Sequence, residues 1–203
     1  MPQRSKANLV SEISISPEII KSIQERLGAW ERPIVTDYEL GALIFSQTPA
    51  TNPPLSLSAY KKLVELLTAF GLISIHKDFK ASTVFHLFGR NQPPSMEVAC
   101  SVDPFAYVSH LSAMEYHGIT DRFSTILYLC TPPAREWSEQ AQARIDKDLK
   151  GPKSDYLAAK LPALKFQRTE RIGGVRVELL RRSHRGAFKV IKSPSIRVAM
   201  IGR

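Results

Sequence analysis

The chain has 203 residues, 43% of them hydrophobic and 23% charged, an ordinary mixture for a soluble globular protein. No apolar run reaches the roughly 20 residues that span a bilayer, and the N-terminal segment has no signal-peptide core, so we expect a cytoplasmic protein without membrane contact. The formal net charge of +9 favours a polyanionic partner, with nucleic acid first.

The segment NQPPSME (91–97) predicts a boundary between two domains, because two consecutive prolines fit neither a helix nor a central strand. We therefore expect one domain over 1–92 and a second over 93–203. The first holds ten Lys or Arg residues against eight Asp or Glu, whereas residues 160–203 hold twelve against two. The positive charge thus lies mainly at the C-terminal end.

The first half predicts three helices followed by a β-hairpin. Pro17 suits the first position of helix one, and Thr36 with Glu39 forms a capping box at the start of helix two. Helix three runs from about Ser58 to Phe70, and Gly71 is placed to end it. Two β-rich runs follow at 72–76 and 83–88. This order is that of a winged helix-turn-helix domain.

In such a domain the start of the third helix enters the major groove of DNA and the hairpin contacts phosphates. Ser58, Lys61 and Lys62 lie at the start of the third helix, and Lys77 and Lys80 lie in the hairpin. The alternative is that these residues are only the solvated sides of a helix and a loop. Since this half is nearly neutral, tight binding would need a dimer on DNA or help from the second half.

The second half opens with a predicted helix over 104–117, with Asp103 as its N-cap and Gly118 at its end. Glu115 is its single charge, which indicates burial on more than one side. His110 and His117 lie seven residues apart, about 10 Å along a helix axis, too far to bind one metal ion comfortably. We expect hydrogen-bonded core histidines and no metal.

A mixed α/β arrangement follows. A buried strand is predicted over 124–131, then an amphipathic helix that starts at Pro133 and ends at Gly151–Pro152, and a short helix in SDYLAAKL. Two strands around Gly173–Gly174 and one in AFKVIK complete a small sheet. The fold class predicted for the chain is therefore α+β, a winged helix-turn-helix domain followed by a small mixed α/β domain.

No cofactor is predicted from the sequence. Cys100 and Cys130 stand far apart, without a CxxC or Cys/His pairing, which indicates reduced thiols and neither a zinc site nor a disulfide. No Gly-rich phosphate loop is present, because Gly173–Gly174 is better explained as a turn.

The stretch YVSHLSAMEYHGITDRFSTILYLCTP (107–132) resembles the start of the C-terminal domain of AbiEi-type antitoxins of bacterial toxin–antitoxin systems. The positions that match the family pattern are Ser109, His110, Ser112, Ala113, His117, Gly118, Thr120, Asp121, Thr131 and Pro132. The resemblance implies a winged-helix autoregulator, not an enzyme, that binds inverted repeats in its promoter and counteracts a nucleotidyltransferase-like toxin, without a stable complex being required. The chain departs from the pattern near its C-terminus, where SPSIRVAMIGR replaces a Thr-Pro-Glu-Arg-Thr-Leu-like turn and later helices. The resemblance implies nothing about activities of the family that depend on that region.

The basic C-terminal end has two interpretations. In the first, it forms a face that contacts either operator DNA or an acidic patch on a partner protein. In the second, it is only a solubilising surface. If the basic end is a contact face, Arg168 and Arg176 could lie in one stripe, because alternate side chains of a strand share a face. The residues of this predicted face are Arg168, Arg176, Arg181, Arg182 and Arg185.

Two other functions are weighed against a DNA-binding antitoxin. A winged-helix nuclease needs a carboxylate cluster, but Asp103, Glu115 and Asp121 are scattered over the predicted elements. A basic RNA-binding protein would be expected to carry an aromatic RNP-like strand or a GXXG loop, and neither motif occurs in the sequence.

Overall fold

A computed structural model describes residues 17–48, 55–90, 92–149, 153–183, 190–193 and 195–200. The described chain is a mixed α+β structure with two separate sheets. The coarse fold class predicted from the sequence is confirmed.

The first half contains the predicted helices and hairpin. Its helices are α1 (Pro17–Gly28), α2 (Asp37–Gln47) and α3 (Leu57–Ala69), and its strands are β1 (Ile34–Thr36), β2 (Ile73–Ile75) and β3 (Val84–Leu87). The capping box of α2 is present, since the Thr36 hydroxyl accepts the Glu39 backbone N–H and the Glu39 carboxylate accepts that of Thr36. Gly71 follows α3 with a φ of +73°, a left-handed conformation that glycine adopts without strain.

A three-stranded antiparallel sheet adds one strand that the sequence did not predict. β3 lies in the centre, with β2 on one side and β1 on the other. Ile34 to Thr36 pair with residues 84–86, so the chain places a strand beside the hairpin before α2 begins. β1 therefore pairs with the edge of β3 that β2 leaves free.

The second half folds around a larger sheet. Its helices are α4 (Ser95–Val102), α5 (His110–Tyr116), α6 (Ala134–Asp148) and α7 (Lys153–Ala158), and its strands are β4 (Tyr107–Val108), β5 (Ile126–Thr131), β6 (Arg171–Ile172), β7 (Val175–Arg181), β8 (Val190–Lys192) and β9 (Arg197–Ala199). The strand order is β6-β7-β5-β4-β9-β8. β5 and β7 are parallel and are joined through α6 and α7, as a parallel pair requires a crossover. The predicted end of α6 at 151–152 lies outside the described residues.

The predicted helix over 104–117 is wrong. Asp103 ends α4 instead of starting a helix, and β4 pairs with β5 and β9 before α5 begins. The Asp103 carboxylate accepts hydrogen bonds from the Trp137 indole at 3.0 Å and the Thr131 hydroxyl at 2.6 Å. These long-range donors need a buried acceptor between the sheet and α6, and Asp103 supplies it.

The two hydrophobic cores each combine residues from both halves. The core around α1, α2 and α3 includes Leu149, Tyr156 and Leu161 from the second half. The core beneath the larger sheet includes Ile34 and Phe79 from the first half. Burial of apolar surface therefore fixes the two sheets relative to each other.

Candidate nucleic-acid interface

The N-terminal turn of α3 presents polar residues to solvent. The Ser56 hydroxyl accepts the backbone N–H of Ala59 at 3.2 Å, which caps the helix. The side of α3 that faces the core buries Tyr60, Leu63, Leu66 and Leu67. The exposed side of the same turns carries Ser58, Lys61, Lys62 and Glu65. Solvent exposure of Ser58, Lys61 and Lys62 is compatible with DNA contact and also with a merely solvated helix side.

Tyr60 joins this turn to the start of α2. Its hydroxyl donates a short hydrogen bond to the Asp37 carboxylate and lies 3.2 Å from the Asp37 carbonyl oxygen. Burial raises the pKa of the Asp37 carboxyl, against the opposing effects of the Tyr60 hydroxyl, Lys165 and Lys61. The α3 cation Lys61 and the second-half cation Lys165 thus both lie near one carboxylate.

The tip of the β2–β3 hairpin is attached to the second half. The Asp78 carboxylate accepts the Gly173 backbone N–H at 2.7 Å, and the Asp78 carbonyl accepts the Thr169 hydroxyl at 2.8 Å. Phe79 is buried in the core beneath the larger sheet. Lys77 and Lys80 flank this anchor and are exposed. The anchor therefore holds the backbone that carries both lysines.

A pair of stacked imidazoles lies below the tip. The rings of His76 and His86 have centroids 4.1 Å apart and planes inclined by 18°. The Asp78 backbone N–H points to Nδ1 of His76 at 3.3 Å. Burial lowers the pKa of both rings, with His86 adding to the effect at His76 and Asp78 opposing it at both. The geometry favours the neutral form of this pair.

Five exposed residues of the α3 start and the hairpin tip are together named the cationic surface: Ser58, Lys61, Lys62, Lys77 and Lys80. Among the described residues, none of the four lysines forms an ion pair. A cation without a carboxylate partner keeps its charge available for an anionic ligand. This arrangement can bind phosphate groups.

The predicted basic face at the C-terminal end is not one stripe. Arg168 is exposed but precedes β6, so strand alternation does not align it with Arg176. Arg176 and Arg181 point to opposite sides of β7, because an odd number of positions separates them. The Arg176 guanidinium lies 3.3 Å from the Glu178 carboxylate.

The remaining arginines of that face lie near the end of β7. The Arg181 guanidinium stacks over the Phe166 ring at 4.8 Å, and the Arg182 backbone N–H donates to the Thr131 carbonyl at 2.9 Å. Both side chains are exposed. Arg185 lies outside the described residues. Arg168 is the described member of the predicted face that directly neighbours a residue bound to the hairpin, Thr169.

The residues of the family-like motif mainly connect α5 to the sheet. Ser109 is buried, and its hydroxyl lies 2.9 Å from the His110 ring. The buried Ser112 hydroxyl donates to the Ile126 carbonyl at 3.1 Å and accepts the Tyr128 backbone N–H at 3.0 Å. Ser112 therefore replaces backbone hydrogen bonds at the start of β5.

The prediction of core histidines is wrong for His110, which is exposed and starts α5 with a φ of +50°. His117 is half-buried and has a partner, since its Nε2 lies 2.9 Å from the Ala199 carbonyl oxygen. Gly118 and Asp121 are exposed. The physical reason is that the segment is split by β4, so its apolar residues are not arranged around one buried helix.

Other chemistry has little support in the described part of the chain. Within it, no group of three or more His, Cys, Asp or Glu residues is placed to hold a metal ion. Asp103 is committed to Trp137 and Thr131, and the Glu115 carboxylate accepts the Ser124 backbone N–H at 3.1 Å. No described helix is long and apolar enough to cross a bilayer.

Comparison of the chain with family models, curated proteins and solved structures found no match. The fold and the side-chain geometry therefore carry the functional argument.

Sequence reasoning missed the anchor formed by Asp78, Thr169 and Gly173. Asp78 and Thr169 are separated by 91 positions, and no local pattern links them. One signal was available, because Phe79 is an apolar residue in an otherwise polar turn. Such a residue indicates that a hairpin tip packs against something.

Proposed function

We propose that the chain is a DNA-binding transcriptional autorepressor and the antitoxin of a toxin–antitoxin system, acting without an enzymatic step. In this proposal the first half is a winged helix-turn-helix domain, with α3 as its recognition helix and the β2–β3 hairpin as its wing. The observation that carries the DNA-binding proposal is the cationic surface. Its four lysines are exposed and without ion pairs among the described residues, on the two elements that such a domain uses.

The division of labour within the cationic surface follows from its two elements. The N-terminal turn of α3 offers the Ser58 hydroxyl and two ammonium groups, which suit base edges and phosphates in a major groove. The hairpin offers Lys77 and Lys80, whose flexible ammonium groups suit phosphates. Phosphate contacts supply affinity and orientation, whereas sequence selection falls to the α3 turn.

The antitoxin half of the proposal depends on the resemblance over 107–132. Ser109 and Ser112 of that motif connect β4, α5 and β5, which is a reason for such residues to recur together in a fold. The partner proposed on this basis is a nucleotidyltransferase-like toxin, counteracted functionally and with no physical complex required.

A mobility-shift experiment tests the DNA-binding proposal. The full chain is titrated against the duplex upstream of its own gene, a scrambled duplex and an RNA of the same sequence. The proposal predicts preferential binding to the upstream duplex. Equal or tighter binding of the RNA would favour an RNA-binding protein, and cleavage of the labelled strands with Mg²⁺ would favour a nuclease; either result contradicts the proposal.

Co-expression tests the antitoxin proposal separately. A nucleotidyltransferase-like protein encoded beside this chain is induced with or without the chain, and growth is followed. The proposal predicts that the chain restores growth. Continued growth arrest at verified expression of both proteins would contradict the antitoxin role while leaving the DNA-binding proposal to its own test.

A further inference from the structure

The segment 162–171 runs from α2 to the hairpin that carries Lys77 and Lys80. It begins beside the middle of α2, where a Cβ atom added to Gly41 would lie 3.2 Å from the Pro162 ring. Leu164 then packs in one cluster with Tyr38, near the start of α2. The segment therefore follows α2 back towards its N-terminus.

The end of the segment reaches the hairpin tip. Thr169 donates its hydroxyl to the Asp78 carbonyl, and Gly173 donates its backbone N–H to the Asp78 carboxylate. Before these contacts the chain must pass the N-terminal end of α2, to which Tyr60 of α3 is hydrogen-bonded through Asp37. Residues 165–171 therefore run from the start of α2, to which α3 is bonded, to the hairpin tip.

The charged side chains of this stretch are mainly cationic and exposed. Lys165, Arg168 and Arg171 all face solvent, and none forms an ion pair with a described residue. Glu170 is the single acidic residue of the stretch. Arg176 on β7, by contrast, is paired with Glu178.

The effect of this stretch on a neighbouring group agrees with its position. Lys165 and Lys61 both lower the pKa of the Asp37 carboxyl, although burial outweighs them. A second-half cation and an α3 cation therefore act on the same carboxyl group.

We propose that Lys165, Arg168 and Arg171 form a third phosphate-binding element, which continues the cationic surface from α3 to the wing and binds the backbone of duplex DNA. The inference rests on the proposed DNA-binding function and extends it to the second half. Lys165 and Arg168 lie in an irregular segment and Arg171 begins β6, all outside the recognition helix, so the element contributes affinity without sequence selection. It also supplies the positive charge that the nearly neutral first half lacks.

The experiment compares Lys165→Ala/Arg168→Ala with the wild-type chain in binding to the upstream duplex, measured by fluorescence anisotropy over a series of salt concentrations. The slope of log affinity against log salt should become less steep by about 0.9 for each phosphate that the variant no longer binds. Arg135→Ala/Lys147→Ala on α6 removes the same charge outside the cationic surface and should leave the slope near the wild-type value. The ratio of affinities for upstream and scrambled duplex should stay unchanged in the test variant.

The outcomes separate this inference from the function on which it rests. If the wild type binds and Lys61→Ala/Lys62→Ala reduces the slope while Lys165→Ala/Arg168→Ala does not, the third element is overturned and the DNA-binding function stands. If the wild type shows no salt-dependent duplex binding, both are overturned. Circular dichroism and thermal unfolding of the variant establish that a reduced slope does not come from a disrupted fold.

Discussion

Glu39 and Arg144 form an ion pair at 2.7 Å across 105 positions of sequence, joining the start of α2 to α6. The Glu39 side chain is only 4% exposed. Its carboxylate also forms an ion pair with Arg32 at 2.6 Å and accepts the Thr36 backbone N–H at 3.2 Å. Burial alone would raise the pKa of Glu39, but the two guanidiniums and these hydrogen bonds hold it below its usual value. One carboxylate thus caps a helix and connects the two halves.

Replacing Glu39 with Gln should lower the free energy of unfolding by about 3–5 kcal/mol, because two guanidiniums lose their buried counter-charge. Urea denaturation followed by far-UV circular dichroism measures the change. Glu139→Gln is the matched control, since Glu139 pairs with Arg135 on the exposed side of α6 and such pairs contribute less than about 1 kcal/mol. Equal losses in the two variants would contradict this account of the buried cluster.

The same cluster predicts an acid dependence of stability. The pKa of Glu39 is lower in the folded chain than its ordinary value of 4.5, so its stabilisation is present above that value. It is lost as the pH falls through the lowered folded-state pKa. Unfolding free energies of wild type and Glu39→Gln should therefore converge below pH 4.5 and differ most near neutrality. A difference independent of pH would show that charge is not its source.

Gly41 of α2 lies against Tyr156 and Pro162 of the second half. A Cβ atom there would be 2.7 Å from the hydroxyl of Tyr156, which is itself 2% exposed and donates to the Pro162 carbonyl. Gly41→Ala should lower the free energy of unfolding by about 1–3 kcal/mol through overpacking, although alanine favours helix. Gly28→Ala at the end of α1 meets no atom within 4 Å and should be neutral or stabilising. Thermal unfolding of the two variants distinguishes them, and equal melting temperatures would contradict the close contact.

The stacked His76 and His86 predict a second acid effect in the β2–β3 hairpin. Burial lowers the pKa of both from the ordinary 6.5, so protons bind the unfolded hairpin more readily than the folded one. Stability is complete above pH 6.5 and falls as the pH drops through the folded-state values, with the Asp78 carboxylate moderating the loss. Amide hydrogen exchange of residues 73–87, corrected for its intrinsic pH dependence, should accelerate at a pH of about 5.5 more in the wild type than in His86→Gln. Identical acceleration in both would contradict the role of the pair.

The sequence predicted the parts of the fold that depend on local signals. The Thr36–Glu39 capping box, Gly71 and the hairpin each involve residues close in the chain, and each is found in the structure. Strands β1, β4 and β9 contain only two or three residues, too few to show a periodic pattern. They are stabilised by pairing with distant strands, which a local reading does not detect.

The misassigned helix has a similar physical cause. Asp103 followed by Pro104 is typical of a helix start. The Asp103 carboxylate instead accepts hydrogen bonds from Trp137 and Thr131. A cap and a tertiary acceptor use the same side chain, and sequence alone does not distinguish them.

The candidate site also has one feature that the sequence predicted and one that it did not. Exposure of the α3 lysines follows from the helical pattern of buried residues, and the sequence predicted it. The proximity of 165–171 to the hairpin tip arises from Asp78, whose partners are 91 and 95 positions away.

The salt dependence of duplex binding by Lys61→Ala/Lys62→Ala tests the central claim most directly. Fluorescence anisotropy with the upstream duplex should give a log–log slope less steep by about two than that of the wild type, while Arg135→Ala/Lys147→Ala keeps the wild-type slope. Identical slopes in all three proteins would mean that the exposed end of α3 does not contact DNA.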